Sequence, residues 1–195
     1  MDIATYGVGL FTPVILGAIS AYPQPGGLIP QDFTAARGSA VIDLFLLVGF
    51  LAGIWAVPQF GRIRMQIIGF GGMAAGMLLL LVAGHFSNSS LHIPLVFAGF
   101  ILFNFLMNAG PNSTTFTLAP ILFPTQLRAT ASGFAASVAK LGATFGVFVL
   151  PILKAKFGVS AVLSMVAAVS VLAMMVTVVY GGEDTEQLPA ESFRQ

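Results

Sequence analysis

Three ionisable side chains stand within long apolar stretches of this sequence: Asp2, Asp43 and Lys140. A charge near the centre of a bilayer costs at least about 2.5–3.5 kcal/mol on insertion scales, so each such group needs a partner, a watery cavity or a route to the interface. Asp43 falls near the start of an apolar stretch, from which it can reach the interface. Asp2, judged by position alone, is an ordinary acid at the surface end of a helix. Lys140 follows Arg128 by twelve residues, roughly 18 Å at helical rise, too deep for comfortable snorkelling. It should face a cavity or an acid, cap carbonyls freed near Gly110-Pro111, or strain towards the headgroups. Asn104, Asn108 and Asn112 recur at steps of four, along one helix face. Such a stripe either ties helices together by hydrogen bonds or lines a solute path. Gly110-Pro111 inside it favours the path, because broken membrane helices are tolerated where they border a cavity.

The elements that would position these groups are legible from length. A bilayer core needs about 20 apolar residues at 1.5 Å each, and the sequence supplies such spans at 1–21, 39–56, 65–84, 94–118, 125–153 and 160–180. The longest connection is Tyr22 to Gly38, with Pro23-Gln24-Pro25-Gly26-Gly27 at its start; Gly61-Arg62-Ile63-Arg64 reads as a short basic turn. Short loops imply antiparallel neighbours in a bundle. Residues 183–195, opening on Glu183-Asp184-Thr185-Glu186, read as a cytoplasmic tail. Span 125–153 is dense in small residues, among them Ala131, Ser132, Gly133, Ala135 and Ala136, a face that lets helix backbones approach closely.

Composition agrees. Only 8% of residues are charged and 57% are hydrophobic, where a soluble domain carries about 25% charge, so the chain has no means of covering itself for water. A net charge of +1 leaves no basic patch for nucleic acid. The chain has no cysteine, which excludes disulfides and thiolate metal sites. No carboxylate pair, His cluster or Ser/His/Asp set has a spacing that would make an enzyme, and no metal or cofactor is expected. Gly69-Phe70-Gly71-Gly72 lacks the strand that a dinucleotide loop requires; His85 and His92 flank a polar loop as interfacial residues. Basic residues in alternate loops vote weakly for both chain ends on the cytoplasmic side.

Two segments carry a family resemblance. Asn108-Ala109-Gly110-Pro111-Asn112-Ser113-Thr114-Thr115-Phe116, then Phe123-Pro124-Thr125-Gln126-Leu127-Arg128-Ala129-Thr130-Ala131-Ser132-Gly133 and Lys140-Leu141-Gly142-Ala143, resemble the fourth and fifth helices of the C-terminal half of proton-coupled phosphate symporters. These belong to the major facilitator superfamily, and sugar porters and bacterial metabolite–proton symporters share parts of the pattern. Gly61-Arg62 with Gln66 is similar to the basic loop of that half. The resemblance implies an all-α, six-transmembrane-helix bundle, one half of a twelve-helix fold. Its partner would be an N-terminal six-helix half, and its setting the plasma membrane, in bacteria the inner one.

By the same resemblance Asp2-Ile3-Ala4-Thr5-Tyr6-Gly7 is similar to the middle of the family's seventh helix, which implies that a stretch of helix and a six-helix half precede it. Asp2 is then the proton-coupling group. Asp2, Tyr6, Asn108, Asn112 and Lys140 form the expected solute site, and Gly61, Arg62 and Arg128 the loops that change conformation. Pro58 and Ile121 stand where the family carries acids of its cytoplasmic charge relay, so that latch is expected to be missing or altered. The implied function is proton-coupled symport of a small polar solute, an anion such as phosphate or an organic acid, by alternating access. The alternatives are a sugar or aromatic-acid porter and a non-transporting membrane scaffold.

Overall fold

A chain that must satisfy every backbone polar group without water folds into helices, and helix dominates here. The structure, a computed structural model, describes residues 1–6, 8–9, 28–86, 90–122 and 124–181, with side chains at 1–6, 8–9, 40–86, 90–115, 117–118 and 124–181. Helix α1 comprises residues 2–6 and 8–9. It is followed by α2 (Leu28–Phe60), α3 (Arg62–His85), α4 (His92–Met107), a π-helical turn (Asn108–Asn112), α5 (Ser113–Leu122), α6 (Arg128–Phe157) and α7 (Val159–Gly181). There is no strand among the described residues. The protein is an all-α membrane bundle: five of these stretches are long and apolar enough to cross a bilayer. The rest of the expected span 1–21, and the tail at 183–195, lie outside the described residues.

Two boundaries differ from the reading of the sequence. Helix α2 begins at Leu28, inside the expected connection from Tyr22 to Gly38. Pro30 falls in its first turn, where amide hydrogens have no intrahelical partner to lose, and the polar residues Gln31, Asp32 and Arg37 end the apolar stretch of the sequence without ending the helix. Asp43 consequently lies well inside α2, with its side chain exposed. The basic turn shrinks to Gly61 alone. Its φ of +85°, a conformation glycine adopts without steric cost, reverses the chain in one residue, so Arg62 and Arg64 belong to the first turn of α3. Gly158, with φ of +82°, does the same between α6 and α7.

The core lies where α3 packs on α4 and α7, around Met73, Met77, Phe100, Phe103 and Val166, with Ala4 and Val8 of α1 added to it. Small residues set the spacing. A Cβ on Gly76 would come within 2.9 Å of Gly99 O, and one on Gly99 within 3.0 Å of Gly76 O, so α3 and α4 cross with backbones nearly touching. Helix α6 meets α1 the same way, with Gly146 against the backbone of Ile3 and Gly142 against its side chain. Helix α6 also packs on α5 and α7, with Leu150 in the core, but one of its faces is bare, and Phe134, Leu141 and Phe148 are about seven-tenths exposed (73%, 70% and 69%). Alternation of direction puts Gly61, Arg62, Arg128 and Gly181 at one end of the bundle, near the exposed rings of Trp55 and Tyr180.

Candidate functional site

The contact of Gly146 and Gly142 with Ile3 fixes the register of α6 against α1, and that register decides what Lys140 meets. Its ammonium lies 3.3 Å from Asp2 Oδ2 and donates to the Tyr6 hydroxyl at 2.8 Å. The same nitrogen sits 4.5 Å from the centroid of the Tyr6 ring, within cation–π range. Asp2 and Tyr6 are four residues apart and so present one face of α1. Exposure divides the cluster. The Asp2 side chain is 5% exposed and that of Lys140 is 56% exposed, so the acid is enclosed by protein while its cation stays open to an arriving group. Tyr6 is 41% exposed. Beside Lys140 on this open side lie Ser137 and Thr144, their hydroxyls bound back to Gly133 O and Lys140 O.

On the enclosed side a recess of about 110 Å³ separates α1, α5 and α6, lined by Met1, Asp2, Thr115, Ser132, Ala135, Ala136, Ala139 and Lys140. The alanines give it apolar walls, and Asp2, Thr115, Ser132 and Lys140 supply its polar groups.

The asparagine stripe is placed differently. Asn104 donates to Phe100 O and Asn108 to Asn104 O, each at 2.9 Å, while Asn112 donates to Asn108 Oδ1 at 2.8 Å. Among the described residues no hydrogen bond joins Asn108 or Asn112 to Asp2, Tyr6 or Lys140. These amides serve a helix that Pro111 interrupts. Proline has no amide hydrogen and its ring would strike the carbonyl four residues back, and the chain answers with the wider π turn. Hydroxyls then satisfy the carbonyls around the break: Ser113 donates to Asn108 O, Thr114 to Gly110 O and Thr115 to Pro111 O. Helix α1 docks on this irregular stretch through Thr5 Oγ1 to Met107 Sδ (3.1 Å) and Thr115 Oγ1 to Met1 Sδ (3.8 Å). A π turn with a proline, packed against the helix that carries the acid, is the kind of irregularity that concentrates at functional sites.

The structure thus gathers Asp2, Tyr6 and Lys140, and it leaves Asn108 and Asn112 bonded to each other. Gly61, Arg62 and Arg128 stand apart at the end of the bundle, all exposed. Thr115 and Ser132 border the recess without having been singled out by the sequence as site residues; at Ser132 the run of small neighbours reads as packing alone. No group of three metal-ligating side chains occurs among the described residues.

Known proteins agree with this architecture. A family model described as "Sugar (and other) transporter" matches residues 31–190. The chain is similar to the "Probable inorganic phosphate transporter 1-6" of Arabidopsis thaliana, 29% identical over 202 residues, covering 98% of this chain and 38% of that protein. It is 34% identical over 152 residues to the "Repressible high-affinity phosphate permease" of Neurospora crassa, covering 75% of this chain and 25% of that one. With the "Inorganic phosphate transporter 1-1" of Oryza sativa subsp. japonica it shares 34% over 156 residues, 76% of this chain and 29% of the other. The chain therefore spans well under half the length of these relatives.

Proposed function

We propose, for a chain that belongs to the sugar (and other) transporter family of the major facilitator superfamily, proton-coupled symport of a small oxyanion, phosphate first among the candidates. The observation that carries the reading is the half-open Lys140 ammonium held between a buried carboxylate and a phenol. An arriving anion can bond the exposed face of Lys140 and the Tyr6 hydroxyl. In doing so it competes with Asp2 for the ammonium, and Asp2, losing its counter-ion, takes up a proton. Anion and proton binding are then coupled in one site. A neutral sugar has no charge with which to displace Asp2, which favours the anion over the sugar porter alternative, and the relatives named as phosphate transporters support the same choice.

Transport in this fold class rocks one six-helix half against another around a midplane site. The bare face of α6, with Lys140 in the middle of it, suits a wall of that site, and a second six-helix half would supply the opposite wall. In this reading the end of the bundle that carries Arg62, Arg64 and Arg128 faces the cytoplasm. Uptake of labelled phosphate, succinate and glucose into proteoliposomes containing the full-length protein, with and without an inward proton gradient, tests it. Gradient-dependent phosphate uptake is the expected result. Glucose uptake indifferent to the gradient would transfer the chain to the sugar porters, and no flux of any of the three would leave a membrane scaffold.

A further inference from the structure

The Lys140 ammonium has three N–H donors, and Asp2 Oδ2 and the Tyr6 hydroxyl engage two of them. The Tyr6 oxygen accepts from Lys140, which leaves its own O–H to donate. An anion arriving at this cluster therefore meets the third lysine N–H and the Tyr6 O–H, and any oxyanion can use both. Donors alone do not tell one oxyanion from another. A group that accepts does, because phosphate near neutral pH carries O–H groups of its own and sulfate carries none. The Asp2 carboxylate is enclosed and already bonded, so the acceptor has to stand on the open side.

Thr144 meets that requirement. It follows Lys140 by four residues on α6, on the same helix face, and borders the same open surface. Its level fits as well. Helix α1 runs against α4 and α5, since Thr5 meets Met107 and Met1 meets Thr115; α6 follows α5 through a short connection and also runs against it, so α1 and α6 are parallel. Ile3 rests on Gly142 and Gly146, and Thr144, midway between those glycines, stands at the level of α1 from which Asp2 and Tyr6 reach out. The Thr144 hydroxyl donates to Lys140 O at 3.0 Å. Its proton is thus committed to the helix while its lone pairs stay open, the side chain being exposed. It accepts from a solute O–H at no loss, whereas donating to a bare oxyanion surrenders the helix bond. Ser137 has the same habit, bonded to Gly133 O at 2.9 Å, but it stands on the other side of Lys140, away from the level of Asp2 and Tyr6. We infer that Thr144 is a specificity-determining residue of the solute site: its oxygen accepts a hydrogen bond from a protonated oxyanion held by Lys140 and Tyr6, and so selects phosphate and arsenate over sulfate.

The inference rests on the oxyanion reading above, and the test separates the two. Displacement of labelled phosphate from the purified full-length protein in detergent gives affinities for phosphate, arsenate and sulfate without any need for transport. Thr144→Val, of nearly the same shape, is expected to bind phosphate and arsenate about fivefold more weakly, the scale of one net hydrogen bond, with sulfate unchanged, so the preference for phosphate over sulfate narrows by that factor. Thr144→Ser keeps the oxygen and restores the preference, and Ser137→Ala leaves it as in the wild type. An unchanged preference in Thr144→Val, an equal loss for all three anions, a narrowing in Ser137→Ala instead, or a wild-type protein that binds no phosphate overturns the inference. Gradient-driven phosphate uptake alongside an unchanged preference overturns the inference alone and leaves the symport reading standing. Phosphate binding with the expected narrowing, but no uptake under any gradient, upholds the inference and sinks the symport reading.

Discussion

Lys140 Nζ lies 3.3 Å from Asp2 Oδ2 across 138 positions of sequence, and the two partners differ in access: the acid is enclosed and the cation is half open. A pair built this way can exchange its members. On the proposed reading, an anion reaching Lys140 from the open side replaces the carboxylate without the carboxylate having to move.

The first prediction follows from that asymmetry. Lys140→Gln removes the charge that the anion reads, and phosphate affinity should fall by about tenfold or more, the scale of a charge-assisted contact. Asp2→Asn removes the competitor instead, so affinity should hold while uptake loses its dependence on the proton gradient. Uptake kinetics at several external pH values separate the two variants. Identical behaviour of both would mean that the pair acts as a structural tie.

How much of this was legible in the sequence depends on which physical signal each feature leaves. Energy alone shows that Lys140, so far from a helix end, needs a partner, but Asp2 by position reads as a surface acid, and only the family resemblance places it in the same cavity. The spans were legible from apolar length, but the start of α2 at Leu28 was not: hydropathy marks the membrane, and the helix continues beyond it. The stripe of Asn104, Asn108 and Asn112 was visible, yet its bonding was not, since a π turn and an α turn give nearly the same apolar pattern and only Gly110-Pro111 hints at the difference. Ser132 was hidden among small neighbours because bordering a recess is a property of the packed structure.

A second prediction concerns Tyr6, which offers Lys140 both a hydroxyl and a ring face. Tyr6→Phe removes the first and keeps the second, while Tyr6→Leu removes both. If the ring contributes an exposed cation–π contact, the Leu variant should bind phosphate about two- to fivefold more weakly than the Phe variant. Equal affinities would assign the whole effect to the hydroxyl.

The wide turn at Pro111 supplies a third. Thr114 is fully buried and its hydroxyl donates to Gly110 O at 2.9 Å, so Thr114→Val leaves a buried carbonyl short of a partner at nearly constant shape. A loss of about 1 kcal/mol is expected, seen as a lower midpoint of thermal unfolding in detergent. Thr117 is exposed, and Thr117→Val should stay within about 0.5 kcal/mol of wild type. Similar effects at the two positions would show that the back-bonded hydroxyls do not hold the turn.

The last prediction tests the close crossing of α3 and α4 on which the placement of α1 depends, since Ala4 and Val8 rest on the core those helices form. A Cβ on Gly76 would stand 2.9 Å from Gly99 O and 3.0 Å from Phe103 N, all backbone atoms that cannot swing aside, so Gly76→Ala must push the helices apart. Overpacking of this kind costs about 1–3 kcal/mol. Gly133 on α6 has nothing within 4 Å of the corresponding position, and there alanine only removes the conformational freedom of glycine, a gain of about 0.5–1 kcal/mol in a helix interior. The two substitutions are chemically identical and should move the unfolding midpoint in opposite directions, with phosphate uptake lost in step with stability for Gly76→Ala and kept for Gly133→Ala. A Gly76→Ala protein as stable as wild type would mean that α3 and α4 pack more loosely than this crossing requires, and the register that brings Asp2 to Lys140 would then need another explanation.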